Sequence, residues 1–323
     1  MSVDASKKSS QIIYRNFEEE LPEDGNLGAV VCAMGVFDGV HIGHRRLISD
    51  CIEAAREKGC KSAIITFDID PTELFAKDSP RKLMTDDDRI ALLATLGADY
   101  VVVDAFTKAY SQLSPESYIE RVLLSELEPA ALFVGSDFRF GHMAAGTVET
   151  LRAILEPRGC EVVAHELLEC DGEVVTASRI RDLVQSGSIE LVNELLGRTH
   201  FMHAIVVEGR KEGRKLGFPT ANLVPVIDYA KMADGVYAGY VRVEGEWFKS
   251  AISVGVPKTF GDIEWTIEAN ILDFDRDIYG LQVDACFSRF LRPMQAFNGL
   301  DELIAAIRNN VAQTAELPPH PAL

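Results

Sequence analysis

Between Ala29 and Val184, short solid runs of apolar residues alternate with stretches whose apolar residues recur every three or four positions. AVVCAM (Ala29–Met34), SAIITF (Ser62–Phe67), DYVVVD (Asp99–Asp104) and ALFVG (Ala131–Gly135) read as buried strands, and EVVAHEL (Glu161–Leu167) as a fifth. The segments between them, RRLISDCIEAAREKG, DDDRIALLATLG, SPESYIERVLLSEL and TVETLRAILEPRG, carry the helical period. Strand–helix alternation of this kind predicts an α/β domain: a parallel sheet with helices on both faces.

The pattern changes after about residue 186. SIELVNELLGR (Ser188–Arg198) reads as a helix bridging two domains. HAIVVEG, GVYAGYVRVEG, EWFKSAISVG, WTIEANILDF and LQVDACFSRF follow, short, β-branched and aromatic, separated by Gly and Asp turns. They predict a small antiparallel β-barrel. LDELIAAIRNNVAQTA (Leu300–Ala315) predicts a closing helix. The expected domains are therefore 13–186 and 187–316, with a polar, disordered start up to about residue 12 and a loose Pro-rich tail, ELPPHPAL. No internal repeat or low-complexity segment appears.

The chain has 323 residues, enough for both domains, and its 47% apolar and 25% charged residues are those of a globular protein. A net charge of −18 argues against nucleic acid and anionic membranes as partners. It leaves room for ATP, because a nest of backbone N–H groups with a few cations and Mg²⁺ holds phosphates even on an acidic protein. The six cysteines form no CxxC pair and show no zinc-ligand spacing. MSVDASKKSS lacks the apolar core of a signal peptide, and no apolar run is long enough to span a bilayer. The expectation is a cytoplasmic protein whose oligomeric state stays open.

Candidate chemistry begins at GVFDGVHIGH (Gly35–His44), which follows a predicted strand and precedes a predicted helix. A helix N-terminus at the carboxyl end of a parallel strand offers free N–H groups and the positive end of a dipole to phosphate. Gly39 and Gly43 allow close approach to the backbone, and His41 and His44 can face one anion. The motif resembles that of the HxGH nucleotidylyltransferases, which are Rossmann-like, and in its extended form their FAD-synthetase branch. In such a reaction the acceptor phosphate attacks the α-phosphorus directly and pyrophosphate leaves, so the protein positions groups and stabilises charge. The resemblance extends to TFDIDP (Thr66–Pro71), GSDFRFG (Gly135–Gly141) and TASRIR (Thr176–Arg181). It implies that Gly35, Phe37, Asp38, Gly39 and Gly43, with Ser178 and Arg181, bind the nucleotide phosphates. It places Asp68, Asp137 and Phe138 at the nucleotide and flavin. Ser178 is expected to cap a helix starting near Arg179. Asp70, Ala177 and HMAAGT (His142–Thr147) depart from the family pattern.

A second constellation, GRKEGRKLGFPTAN (Gly209–Asn222), contains no Walker A sequence. It resembles the riboflavin-kinase signature. Gly209, Gly213, Arg214 and Gly217 would then close over ATP phosphates. Thr220 and Asn222, two apart in an extended segment, would share one side and offer oxygen ligands to Mg²⁺. GVYAG (Gly235–Gly239), TIEANILDFDRDIYG (Thr266–Gly280) and FLRPMQAF (Phe290–Phe297) extend the likeness. They imply Tyr237 and Arg292 at the flavin and Glu268 as the base that accepts the proton of the attacking hydroxyl. Asn270, where His is common, and GVPKTFG (Gly255–Gly261) depart from the pattern.

The order of the two signatures resembles the prokaryotic bifunctional riboflavin kinase/FAD synthetases. That resemblance implies phosphorylation of riboflavin to FMN by the C-terminal domain and adenylylation of FMN to FAD by the N-terminal one, with ATP, riboflavin and FMN as small-molecule partners. Two alternatives stand beside it. An adenylyltransferase for another nucleotide-like substrate would not account for the kinase signature. A flavin-binding sensor or interaction protein with degenerate sites is opposed by the intact His41, His44, Thr220, Asn222 and Glu268. His142, His165, His200, His203 and His320 show no functional pattern, and Asp86–Asp88 reads as a helix cap.

Overall fold

The computed structural model describes residues 9–19, 27–75, 80–125, 127–209, 213, 216–256 and 266–320. The chain divides into two compact units. One lies within Asp4–Pro80 and Thr85–Thr176, the other within Arg81–Met84 and Ala177–Leu323. The division thus falls before the composition break near Gly187.

The first unit is built on six parallel strands, β1 (Gln11–Arg15), β2 (Ala29–Met34), β3 (Lys61–Phe67), β4 (Tyr100–Asp104), β5 (Glu128–Gly135) and β6 (Glu161–His165). Their order is β1-β4-β3-β2-β5-β6. The central strands are solid apolar runs because both faces are covered: Val30 to Ala33 and Ala63 to Ile65 are wholly inaccessible. The helices are α1 (Ile42–Lys58), α2 (Asp86–Ala94), the short α3 (Pro115–Tyr118), which runs on into a π-turn, and α4 (Val148–Leu155). From β2 the chain moves outward through β3 to β4, then returns to the other side of β2 with β5. The resulting switch point lies at the carboxyl end of β2, where ligands of such sheets bind.

One expectation needs correction here. The start of the chain is not disordered throughout, because Gln11–Arg15 adds an edge strand alongside β4. Arg15 locks it with a buried ion pair, Nε to Asp104 Oδ1 at 2.7 Å, and Tyr110 donates to the other carboxylate oxygen at 3.2 Å. Burial pushes the Asp104 carboxyl up, against the pull of Arg15 and Tyr110.

The second unit holds a closed antiparallel barrel in the order β10-β13-β12-β11-β14-β9. Its strands are β9 (His200–Val207), β10 (Ala221–Pro225), β11 (Gly235–Val243), β12 (Glu246–Gly255), β13 (Thr266–Ile271) and β14 (Gln282–Pro293). A small hairpin, β7 (Glu169–Cys170) and β8 (Glu173–Val174), belongs to the first unit. Strict alternation of buried and half-buried residues along β9 and β13 marks strands with one face to the barrel core. Helix α5 (Ala177–Ser186) and α6 (Ile189–Leu196) precede the barrel and α7 (Leu300–Ala315) follows it. The α6 helix, expected as a bridge between domains, packs on the barrel of its own unit: Asn193 Nδ2 donates to Phe287 O at 2.9 Å. The tail is not loose as far as His320. Leu317 is buried, Tyr240 donates to Pro318 O, and the His320 ring stacks on Trp247 at 3.7 Å.

Candidate active sites

The first site grows out of the end of β2. The chain leaves the strand at Gly35, turns through Phe37 in the left-handed region (φ 57°), passes a tight turn at Asp38–Val40, and enters α1 with His41 as its N-cap. Gly39 is buried at φ 69°, a conformation that costs least for a residue without Cβ. His41 Nδ1 accepts the His44 backbone N–H at 3.4 Å. In the neutral ring this leaves the proton on Nε2. The two imidazoles stack, centroids 3.5 Å apart and 20° from parallel. Gly43 is needed for that arrangement: a Cβ there would stand 3.2 Å from Cε1 and Nδ1 of His41.

His44 Nδ1 is buried and has no hydrogen-bond partner among the described residues. Burial first, and His41 second, hold the His44 imidazole well below the usual histidine range. It is therefore neutral at neutral pH. The phenyl edge of Phe37 meets the His44 ring at 5.3 Å. Phe37 is buried, with its ring against that histidine. The arrangement is two stacked imidazoles at the N-terminus of α1.

The other residues expected here are placed as follows. Asp68 is occupied by backbone: its Oδ1 accepts from Ile69 N at 2.9 Å and Phe106 N at 2.8 Å, tying the loops after β3 and β4. Asp70 caps the turn Pro71–Leu74 through Thr72 and Glu73, a structural task for the residue that departs from the family pattern. Asp137 is exposed and Phe138 half-buried in the turn after β5, with the Phe138 and Phe140 rings 5.9 Å apart. Helix α5 opens at Ala177, so Ser178 lies inside its first turn and is not its cap. Arg181 Nε donates to Arg81 O at 2.7 Å. Both belong to the second unit.

Arg89 was missed by sequence reasoning, which read Asp86–Asp88 as a helix cap; the N-cap of α2 is Thr85, and the three acids occupy the first turn. Its guanidinium, 2% exposed, joins Val36 O, Thr66 Oγ1, Phe67 O and Asp86. Only a lone Arg amid acids announced it, and its main partners are backbone carbonyls that no side-chain pattern displays.

The second site lies on the β10–β13 ladder. Asn222 is paired in register with Glu268, and Ala221 with Ala269. Directly opposed residues point to the same face, which puts Thr220, Asn222, Glu268 and Asn270 together. Thr220 Oγ1 donates to Glu268 Oε2 at 3.2 Å, and Asn270 Nδ2 donates to Pro219 O at 2.7 Å. Asn270, the departure from His, thus braces the backbone beside Thr220. The backbone of Gly209 crosses the Asn222 carboxamide, and that of Gly213 passes Phe218 O and Thr220, so closely that a Cβ at either would collide. Gly217 holds φ +83°. Arg214 and residues 257–261 lie outside the described residues. A cavity of about 330 Å³ adjoins Pro219 and Thr220 and extends to Phe274 and Tyr279.

Two flavin expectations fare differently. Tyr237 is fully buried and its hydroxyl donates to Ala233 O at 2.8 Å, so it is a barrel-core residue with no face for a ligand. Its match to GVYAG reflects packing. Arg292 is half-buried, with Nε donating to Asn310 Oδ1 at 3.2 Å, and ties α7 to β14. Among the described residues no cluster of His, Cys, Asp and Glu could hold a metal. The hydroxyl and carboxamide oxygens of Thr220 and Asn222 form a hard-oxygen pair that suits Mg²⁺ with waters and phosphate oxygens completing its shell.

A stacked histidine pair at the switch point of a parallel sheet, and a Thr–Asn–Glu face on a small closed barrel, are the two constellations expected of a two-site, nucleotide-using transferase. The chain matches the FAD synthetase family over residues 24–179 and the riboflavin kinase family over residues 196–317. It is 34% identical over 286 residues to the bifunctional riboflavin kinase/FMN adenylyltransferase of Bacillus subtilis, covering 87% of this chain and 90% of that one. It is 32% identical over 291 residues to the protein of the same name from Escherichia coli K12, covering 89% and 91%. A solved structure described as a macrolide-efflux protein from Streptococcus pneumoniae superposes with TM-score 0.82 at 26% identity, over 95% of this chain and 99% of that one. No described helix is long and apolar enough to cross a membrane. The chain belongs to the bifunctional riboflavin kinase/FMN adenylyltransferase family.

Proposed function

We propose that the two reactions are divided between the two units. In the first, His41 and His44 with the N–H groups at the start of α1 stabilise charge on the ATP phosphates while the FMN phosphate attacks the α-phosphorus. Pyrophosphate leaves and FAD forms. In the second, the Glu268 carboxylate accepts the proton of the riboflavin 5′-hydroxyl as that oxygen attacks the γ-phosphorus of ATP, giving FMN and ADP. Thr220 and Asn222 would hold Mg²⁺, which when bound neutralises phosphate charge. Gly209 and Gly213 let the crossing backbone pass close to these residues, and Gly217 supplies a left-handed turn at φ +83°.

The observation that carries this reading is the face shared by Thr220, Asn222 and Glu268, together with the stacked histidine pair on the other unit. All six cysteines are free, in keeping with a reducing, ATP-supplied cytoplasm. The test is incubation of the whole chain with riboflavin and ATP, with Mg²⁺ or with a chelator, followed by separation of the flavins. FMN and then FAD are expected with Mg²⁺, and neither with the chelator. Riboflavin bound but unchanged would instead favour the sensor reading.

A further inference from the structure

We infer that Arg89 is the positioning residue of the adenylyl-transfer site: it fixes the peptide joining Val36 to Phe37, and through the Phe37 ring it sets the orientation of His44. The inference rests on the reading of His41 and His44 as that site.

Arg89 stands in the first turns of α2 and is buried, and a buried guanidinium is tolerated only when its N–H groups are satisfied. Here the two terminal nitrogens meet four acceptors. Nη1 donates to Val36 O at 2.9 Å and to Thr66 Oγ1 at 2.7 Å, and Nη2 donates to Phe67 O at 2.7 Å and to Asp86 Oδ1 at 3.1 Å. Thr66 Oγ1 in turn donates to Val36 O at 3.1 Å. The carbonyl of Val36 therefore receives two side-chain donors, and it belongs to the last peptide before the chain turns left-handed at Phe37.

That conformation is unfavourable for a residue with a Cβ and persists only where the surroundings over-determine it. Arg89 and Thr66 supply the constraint. With the peptide plane held and Phe37 at its left-handed φ, the side chain leaves the backbone toward the interior, where the buried ring meets the His44 imidazole edge-on and that imidazole stacks on His41. The route from guanidinium to imidazole is thus a hydrogen bond, a peptide and a ring contact. A brace for the strand ends alone would need only the bond to Phe67 O. The bonds to Val36 O reach the catalytic turn itself. Lysine could not replace the arrangement, because an ammonium lacks the planar fork that reaches acceptors on two strand ends at once.

The test uses the full chain, whose riboflavin phosphorylation serves as an internal control. In Arg89→Lys, kcat for FMN adenylylation should fall about a hundredfold, the cost of a misplaced catalytic group. KM for ATP should stay within about threefold, and riboflavin phosphorylation in the same sample should be unaltered. The His44 imidazole resonances should also move. An unchanged kcat, a raised KM with kcat retained, or equal losses in both reactions would each overturn the inference. Should Arg89→Lys fail to fold, Thr66→Val decides: it removes the second donor to Val36 O, and kcat for adenylylation should fall about tenfold with phosphorylation intact. No fall in that variant also overturns it. A His41→Ala/His44→Ala control separates the two levels. FAD formation surviving in the control refutes the site itself, whereas loss there with a normal Arg89→Lys refutes only the role of Arg89.

Discussion

Replacing His41 and His44 together with alanine is expected to lower FMN adenylylation by more than about a thousandfold while riboflavin phosphorylation continues. Removal of one donor from a preorganised charge-stabilising site typically costs about a hundred- to a thousandfold, and here both imidazoles go. The two rings cannot substitute for each other, because their tasks differ. His41 caps α1 through Nδ1, whereas the Nδ1 of His44 is buried and makes no hydrogen bond among the described residues. The double variant also loses the N-cap of α1, so folding of the first unit needs a check of its own, for which far-UV circular dichroism and thermal unfolding of the full chain, compared with the parent, serve. Substantial FAD formation by a variant that still phosphorylates riboflavin would remove the histidines from the chemistry.

The second large effect is expected at Glu268. Glu268→Gln keeps the shape and still accepts the Thr220 hydroxyl through its amide oxygen, but it can no longer take up a proton. Kinase turnover should fall at least about a hundredfold, the lower range for a positioned general base, with little change in ATP affinity. Single-turnover phosphorylation rates and ATP binding, measured on the same protein, check both halves of that statement. Unaltered turnover would leave Glu268 a half-buried strand residue that orients Thr220 and nothing more.

Much of this was legible before any coordinates. β2, β12 and α7 run over the predicted residues, because a solid apolar run, an aromatic hairpin strand and an uninterrupted helical stripe each have one physical solution. The edge strand β1 escaped notice because QIIYR is short and follows a polar stretch. What makes it a strand is β4 beside it and the buried bond from Arg15 to Asp104, a partner 89 positions away. The tail behaved likewise: PPHP is loose by composition, and Trp247 makes it otherwise.

At the sites, residue type and spacing singled out side chains that the structure brings together and failed on those that brace them. Thr220, Asn222 and Glu268 meet as the pattern implied. Tyr237 shared the motif yet points into the barrel, since a motif records which residues recur and not which way they face. Arg89 had no motif, because its function is spelled in backbone carbonyls. Asp70 and Asn270, the departures from family pattern, both proved to make local hydrogen bonds, one capping a turn and the other bracing Pro219.

Two chemistries at two separate sites of one chain should complement each other in trans, and mixing the two disabled variants shows whether they do. His41→Ala/His44→Ala given riboflavin, ATP and Mg²⁺ should stop at FMN, and Glu268→Gln under the same conditions should make almost nothing. Combined, they should make FAD, because the first supplies the FMN that the second adenylylates. If the mixture makes FMN but no FAD, and Glu268→Gln also fails on added FMN, the sites are not independent and the account is contradicted.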